Sequence, residues 1–190
     1  MRHGQRVFID TSELFPFTIM DLLLNLSEDL LFTWVWTDEV IQEWERVIVR
    51  EGMRTPASAA AVGSAVRHYF GQGRIDPGVY RAMVTDDLSP DPDDRVHAAA
   101  VIHGHVDVLL TRNLKDLRTA PVLSAGVAVM TADEFLSGLL ESFPRAVMDA
   151  FVRLAAEKRS PRLTSRELSK KLAVAGAPLF ADRLVAYLPE

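Results

Sequence analysis

Four short apolar runs constrain this chain more than any other feature. They are Val7-Phe8-Ile9, Thr33-Trp34-Val35-Trp36, Val106-Asp107-Val108-Leu109-Leu110 and Val127-Ala128-Val129-Met130. Each has the length of a strand and opens onto a polar turn or a helix start. Helical patterns separate them. Residues 17–26 are apolar and helix-compatible. Thr37 reads as an N-cap, and Val40, Ile41, Trp44, Val47 and Ile48 then recur at helical spacing. Residues 57–70 and the alanine-rich 95–103, stopped by Gly104, predict two more helices. Ala82-Met83-Val84 is expected to add a short strand. Strands alternating with helices imply a parallel sheet covered on both faces, an α/β chain of three layers, α/β/α.

After Phe143-Pro144 no strand pattern remains. The expected division is an α/β body over 1–143 and an all-helical C-terminal extension over 144–190. The extension reads as helices near 145–158, 165–175 and 179–188, the second opened by the capping box Thr164-x-x-Glu167. Charge follows the same division. The extension holds nine Lys/Arg against five Asp/Glu, whereas the body holds twelve against twenty-one. The net charge of −5 argues against a generally basic nucleic-acid binder, and the basic tail on an acidic body points either to a task of its own or to an ordinary solvated helix surface. There is no cysteine, which removes disulfides, thiolate nucleophiles and Cys-bound zinc. No apolar run approaches a membrane span, and the N-terminus lacks a signal-peptide core, so a cytoplasmic location is expected.

In open parallel sheets ligands bind beyond the carboxyl ends of the strands. Asp10 follows the first strand, and Glu43 lies in the helix after the second. Asp91, Asp93 and Asp94 precede the alanine-rich helix. Asn113 and Asp116 follow the strand at 106–110. Singly, each has an ordinary explanation as a strand terminator, helix cap, turn or surface residue. Together they recur at one edge of the sheet. Carboxylates gathered in one place raise each other's pKa unless a cation neutralises them. Oxygen ligands without cysteine point to a hard metal, Mg²⁺ or Mn²⁺, which can activate water against a phosphodiester. Helical phase separates Glu43 from Glu39 and Glu45, because Glu43 lies near Val40 and Val47 on the border of the apolar face.

Other motifs fail. His97, His103 and His105 have no fourth zinc ligand and are read as surface residues. Gly71-Gln72-Gly73 follows no strand and precedes no Lys-Ser/Thr, so it is no phosphate loop. Ser12 and Ser124 lack the setting of a serine hydrolase.

Over residues 5–140 the chain resembles the PIN-domain ribonucleases, in particular the VapC toxins of bacterial toxin–antitoxin pairs. The resemblance rests on Val7-Phe8-Ile9-Asp10-Thr11, on the stretch from Thr37 to Ile48, on Asp91-Pro92-Asp93-Asp94-Arg95-Val96-His97-Ala98-Ala99-Ala100 and on Val108-Leu109-Leu110-Thr111-Arg112-Asn113-Leu114-Lys115-Asp116-Leu117. The tail is similar to the extension of one subset of these toxins. The resemblance implies a PIN-like fold and metal-assisted hydrolysis of RNA. It makes Asp10, Glu43 and Asp94 the catalytic acids, with Asp10 and Asp94 as direct ligands of Mg²⁺ or Mn²⁺. Asn113 stands where the family often has a fourth aspartate, and Asp116 takes that role one turn on, which leaves the number of metal ions open. Thr11 and Thr111 match supporting hydroxyl positions. Arg95, Arg112 and Lys115, with Arg159, Arg162 and Lys170 of the tail, are the RNA-binding candidates. A cognate antitoxin and a homodimer are the implied protein partners. The apolar residues between Phe15 and Leu24 either form the pairing surface or fill the core of one chain. Two other readings stay open: a catalytically silent PIN-like module that binds protein, and a PIN nuclease acting on another nucleic acid.

Overall fold

The computed structural model describes residues 1–2, 4–158 and 162–188. They divide into two compact units. The first comprises Gln5–Phe15 and Thr33–Met130. The second takes in the first residues of the chain, Pro16–Phe32, and the chain from Thr131 onward.

The first unit is built on a parallel sheet of four strands in the order β2-β1-β3-β4. These are β1 (Arg6–Ile9), β2 (Thr33–Val35), β3 (Val108–Leu110) and β4 (Ala128–Met130). In register, Phe8 of β1 pairs with Val35 of β2 and with Leu109 of β3. Val7, Phe8, Ile9, Leu109 and Leu110 are completely buried, so both faces of the central strands are covered, as α/β/α layering requires. The connecting helices of this unit are α1 (Thr11–Leu14), α3 (Asp38–Arg50), α4 (Pro56–Tyr69), α5 (Pro77–Tyr80), α6 (Arg95–His103), α7 (Leu114–Leu117) and α8 (Ala120–Ser124). Thr37 caps α3 by accepting from the Val40 amide at 3.3 Å. Val40, Ile41, Trp44 and Ile48 form its buried face, and the Trp44 indole donates to the Leu14 carbonyl at 3.1 Å.

One local expectation is corrected. Ala82-Met83-Val84 is not a strand. Residues 81–83 form a 3₁₀ turn. The flanking Tyr80 and Arg81 are both bonded to Glu39 of α3, and Met83 and Val84 are exposed, so the segment lacks the neighbouring strand that β-structure needs. Asp76-Pro77-Gly78 opens α5, where the Asp76 carboxylate accepts from the Gly78 amide. Gly73 has a packing reason to be glycine: a Cβ there would come 2.1 Å from the Trp34 carbonyl oxygen. That close approach lets the chain bond to Trp36 on both sides, at Gly73 and Ile75.

The second unit is helical. It contains α2 (Phe17–Glu28), α9 (Ala132–Ser142), α10 (Pro144–Glu157), α11 (Ser165–Ala175) and α12 (Pro178–Val185). Capping boxes at Thr131/Glu134 and Thr164/Glu167 start α9 and α11. Gly176 ends α11 at a φ of 111°, a left-handed conformation that favours glycine. α2 packs on α10 and α11, and α12 packs on α9 and α11. Ile19, Leu22, Leu23 and Leu26 are fully buried. The apolar stretch before Leu24 is therefore used largely within the chain. No helix is long and apolar enough to cross a membrane among the described residues.

Candidate active site

The polar residues that follow β1 and β3 come together because the two strands are adjacent and parallel. The ladder continues one residue past the end of β1, with the Asp10 amide bonded to the carbonyl of Leu110, the last residue of β3, at 2.9 Å. Asp10 caps α1 and is only 5% exposed. Its Oδ2 accepts from the Ser12 hydroxyl at 2.6 Å and the Thr111 hydroxyl at 2.8 Å, with a longer bond from the Ser12 amide at 3.4 Å. The two hydroxyls are themselves fixed, Ser12 by the Arg112 amide and Thr111 by the Asn113 amide.

Asp94 sits at the N-cap of α6 but makes no side-chain cap bond. Its Oδ2 accepts instead from the Asn113 side-chain amide at 2.7 Å. Glu43 projects from α3, and its Oε2 lies 3.0 Å from Nε2 of His97. The Thr11 hydroxyl is buried without a full hydrogen bond among the described residues, near enough to the Glu43 carboxylate to help hold it charged. Asp10, Thr11, Ser12, Glu43, Asp94 and Asn113 line one cleft of about 430 Å³. Asp10, Glu43 and Asp94 are thus each held through one carboxylate oxygen.

Electrostatics show the crowding. Burial raises the pKa of Asp94, and the negative charges of Asp10, Asp91 and Asp116 raise it further against the opposing pull of His97, up to about 6. Burial works against ionised Glu43, but the bond from His97 and its charge outweigh it and keep the carboxyl below its ordinary value. For His97, burial disfavours the charged ring, yet the Glu43 bond and the carboxylates of Asp10, Glu43 and Asp94 more than offset this. These side chains fit a hard divalent cation. The donors are all oxygen, and burial together with the acidic neighbours makes ionised Asp94 costly, a cost that a bound cation would offset.

Asp116 stands elsewhere in the cluster. Its carboxylate forms a triad with Asp91 and Asp94, all within 4.8 Å of one another, and Asp94 belongs to both this triad and the cleft. Among the basic candidates, Arg95 is tied to Asp86 and to the Ser89 carbonyl, and Arg112 is paired with buried Glu13 at 3.0 Å. Lys115 is exposed. In the helical unit Arg162 and Lys170 are exposed, and Arg159 lies outside the described residues.

The reading of His97 as a surface residue is corrected: it is 4% exposed and bonded to Glu43. The signal was its place three residues after Asp94, one turn along the same helix face. Ser12, weighed only as a nucleophile, anchors Asp10. Arg50 lines the cleft, and Arg46 and Arg50 line the adjoining hollow that shares Glu43. Their spacing of three and seven residues from Glu43 was visible in the sequence. Glu39 and Glu45 are engaged elsewhere, with Tyr80 and Arg81 and with Arg67.

A family model described as PIN domain matches residues 6–115. A second, described as VapC50 C-terminal domain, matches residues 132–186. No curated protein and no solved structure gives a match.

Proposed function

The chain belongs to the PIN-domain family, with a VapC-type C-terminal extension, and from that premise we propose that it is a metal-dependent endoribonuclease, the toxin of a type II toxin–antitoxin pair. The observation that carries this reading is the cleft itself. Three carboxylates from three different elements line it, and each is anchored through one oxygen. The other oxygen is then available to a ligand.

Asp10 and Asp94 would hold Mg²⁺ or Mn²⁺. Such a cation supplies a Lewis acid for a phosphate oxygen and a water acidified by binding. The chain's own part is positional. Ser12 and Thr111 fix Asp10, and Asn113 fixes Asp94. Asn113 replaces a fourth carboxylate with a donor, which steadies Asp94 without adding negative charge. This supports a working site with one principal cation and gives the silent-module reading no support. Asp116 and Asp91 extend the acidic edge beside Asp94. Glu43 holds and orients a water. Arg46, Arg50 and Lys115 supply positive charge for the flanking phosphates, which an acidic cleft alone would repel.

Expression in bacterial cells tests the toxin reading. Growth arrest by the wild type, relieved by Asp10→Ala or by a co-expressed antitoxin, is the expected result. Arrest that persists in Asp10→Ala would assign toxicity to something other than this cleft.

A further inference from the structure

We propose that His97 is the positioning residue of this site: it grips one oxygen of Glu43 and thereby presents the other to the cation and its water. The inference rests on the nuclease reading above, because it assigns a role within the same cleft.

The helix α6 delivers Asp94 and His97 one turn apart on a single face. Nε2 of His97 lies 3.0 Å from Glu43 Oε2. An ionised carboxylate can only accept, so Nε2 carries the proton and donates. Among the described residues, the other ring nitrogen, Nδ1, is buried with no hydrogen-bond partner. A buried polar atom left alone is costly, and a histidine kept for packing would be expected to satisfy both nitrogens or to be replaced by an apolar residue. Here the bond to Glu43 is what the buried ring contributes. The ring is also fixed from behind, with its centroid 6.1 Å from that of Phe8 in the central strand.

The chemistry of the partner explains the choice of histidine. Glu39, on the same helix, is bonded through both oxygens, Oε1 to Arg81 and Oε2 to Tyr80. An arginine fork facing Glu43 could likewise occupy both oxygens and leave none for a ligand. An imidazole edge offers one donor and takes one oxygen. Glu43 is half-buried with a long side chain, so a rigid donor also removes rotamer freedom that a loose carboxylate would lose on binding.

A double-mutant cycle on Mn²⁺ affinity, measured by titration calorimetry on the full chain, tests the proposal without requiring turnover. His97→Leu is expected to weaken Mn²⁺ binding by about 10- to 100-fold, the usual effect of losing an outer-shell partner. The same change in a Glu43→Gln background should cost less than about 3-fold, because the oriented carboxylate is already gone. His97→Gln, whose amide reaches the Nε2 position, should retain most of the affinity. His97→Asn, which falls short of it, should behave as His97→Leu does, and this pair gives the same contrast if the leucine variant does not fold. In RNA cleavage, kcat should fall and KM stay unchanged. Undiminished Mn²⁺ affinity in His97→Leu, an equal loss in both backgrounds, or failure of His97→Gln alongside His97→Asn would overturn the proposal. A wild type that binds Mn²⁺ but leaves RNA intact would overturn the nuclease reading alone, and the cycle would still decide His97. A wild type that binds no Mn²⁺ would overturn both.

Discussion

At the scale of single residues, the site is a problem of too much negative charge in too little water. Asp94 shows it most clearly. Its ordinary pKa of 3.8 is raised to about 6 in the folded chain, first by burial and then by Asp10 and its other acidic neighbours. The metal-free native state therefore binds a proton more readily than the unfolded chain. The stability this contributes is complete below pH 3.8 and is lost as the pH rises through about 6. Compared with Asp94→Asn in EDTA, the wild type should lose melting temperature between pH 4 and 7. Mn²⁺ should restore it at pH 7 and do far less at pH 5, where the proton competes for the same oxygens. Parallel pH profiles for the two proteins in EDTA would show that Asp94 carries no such strain.

At the scale of elements, α3 shows what a linear pattern can reveal. Its cap, length and buried face follow from Thr37 and the spacing of Val40, Ile41, Trp44 and Ile48, and the same phase separates Glu43 from Glu39 and Glu45. The segment around Ala82 was less legible. Three small or apolar residues fit a strand or a turn equally well, and the deciding factor, Glu39 binding Tyr80 and Arg81, lies some forty residues away. His97 was missed for a related reason: its spacing from Asp94 puts it on that residue's helix face, but its burial and its partner on α3 are tertiary facts. The exposed arginines of α3 yield a prediction. Neutralising both Arg46 and Arg50 to Gln should weaken binding of single-stranded RNA and flatten its salt dependence by about 1.4 in log–log slope, at about 0.7 per phosphate contact. The melting temperature should stay unchanged, since both residues are exposed. A salt slope equal to that of the wild type would remove α3 from the RNA surface.

At the scale of the whole molecule, apolar periodicity marks residues 17–26 as a helix to be buried but cannot name its partner. The structure groups it with α10 and α11, in the helical unit. Leu168, Leu172 and Phe180 are fully buried in that unit, so Leu172→Ala should cost it about 2–5 kcal/mol in denaturant unfolding. Removing residues 144–190 would strip Ile19, Leu22 and Leu23 of their cover, and the remainder is expected to aggregate. Charge reversal is the gentler probe of the tail. Arg162→Glu with Lys170→Glu should lower RNA affinity and its salt dependence. Unchanged RNA binding with weakened antitoxin binding would assign the basic face to the protein partner. The most direct measurement of all is single-turnover cleavage of an RNA in Mn²⁺ by the wild type and by Asp10→Asn, with folding and RNA binding verified in both. Cleavage by the wild type that stops in EDTA and falls about a thousandfold in the variant is the expected result. Cleavage that survives either EDTA or Asp10→Asn would contradict a metal-dependent nuclease site in this cleft.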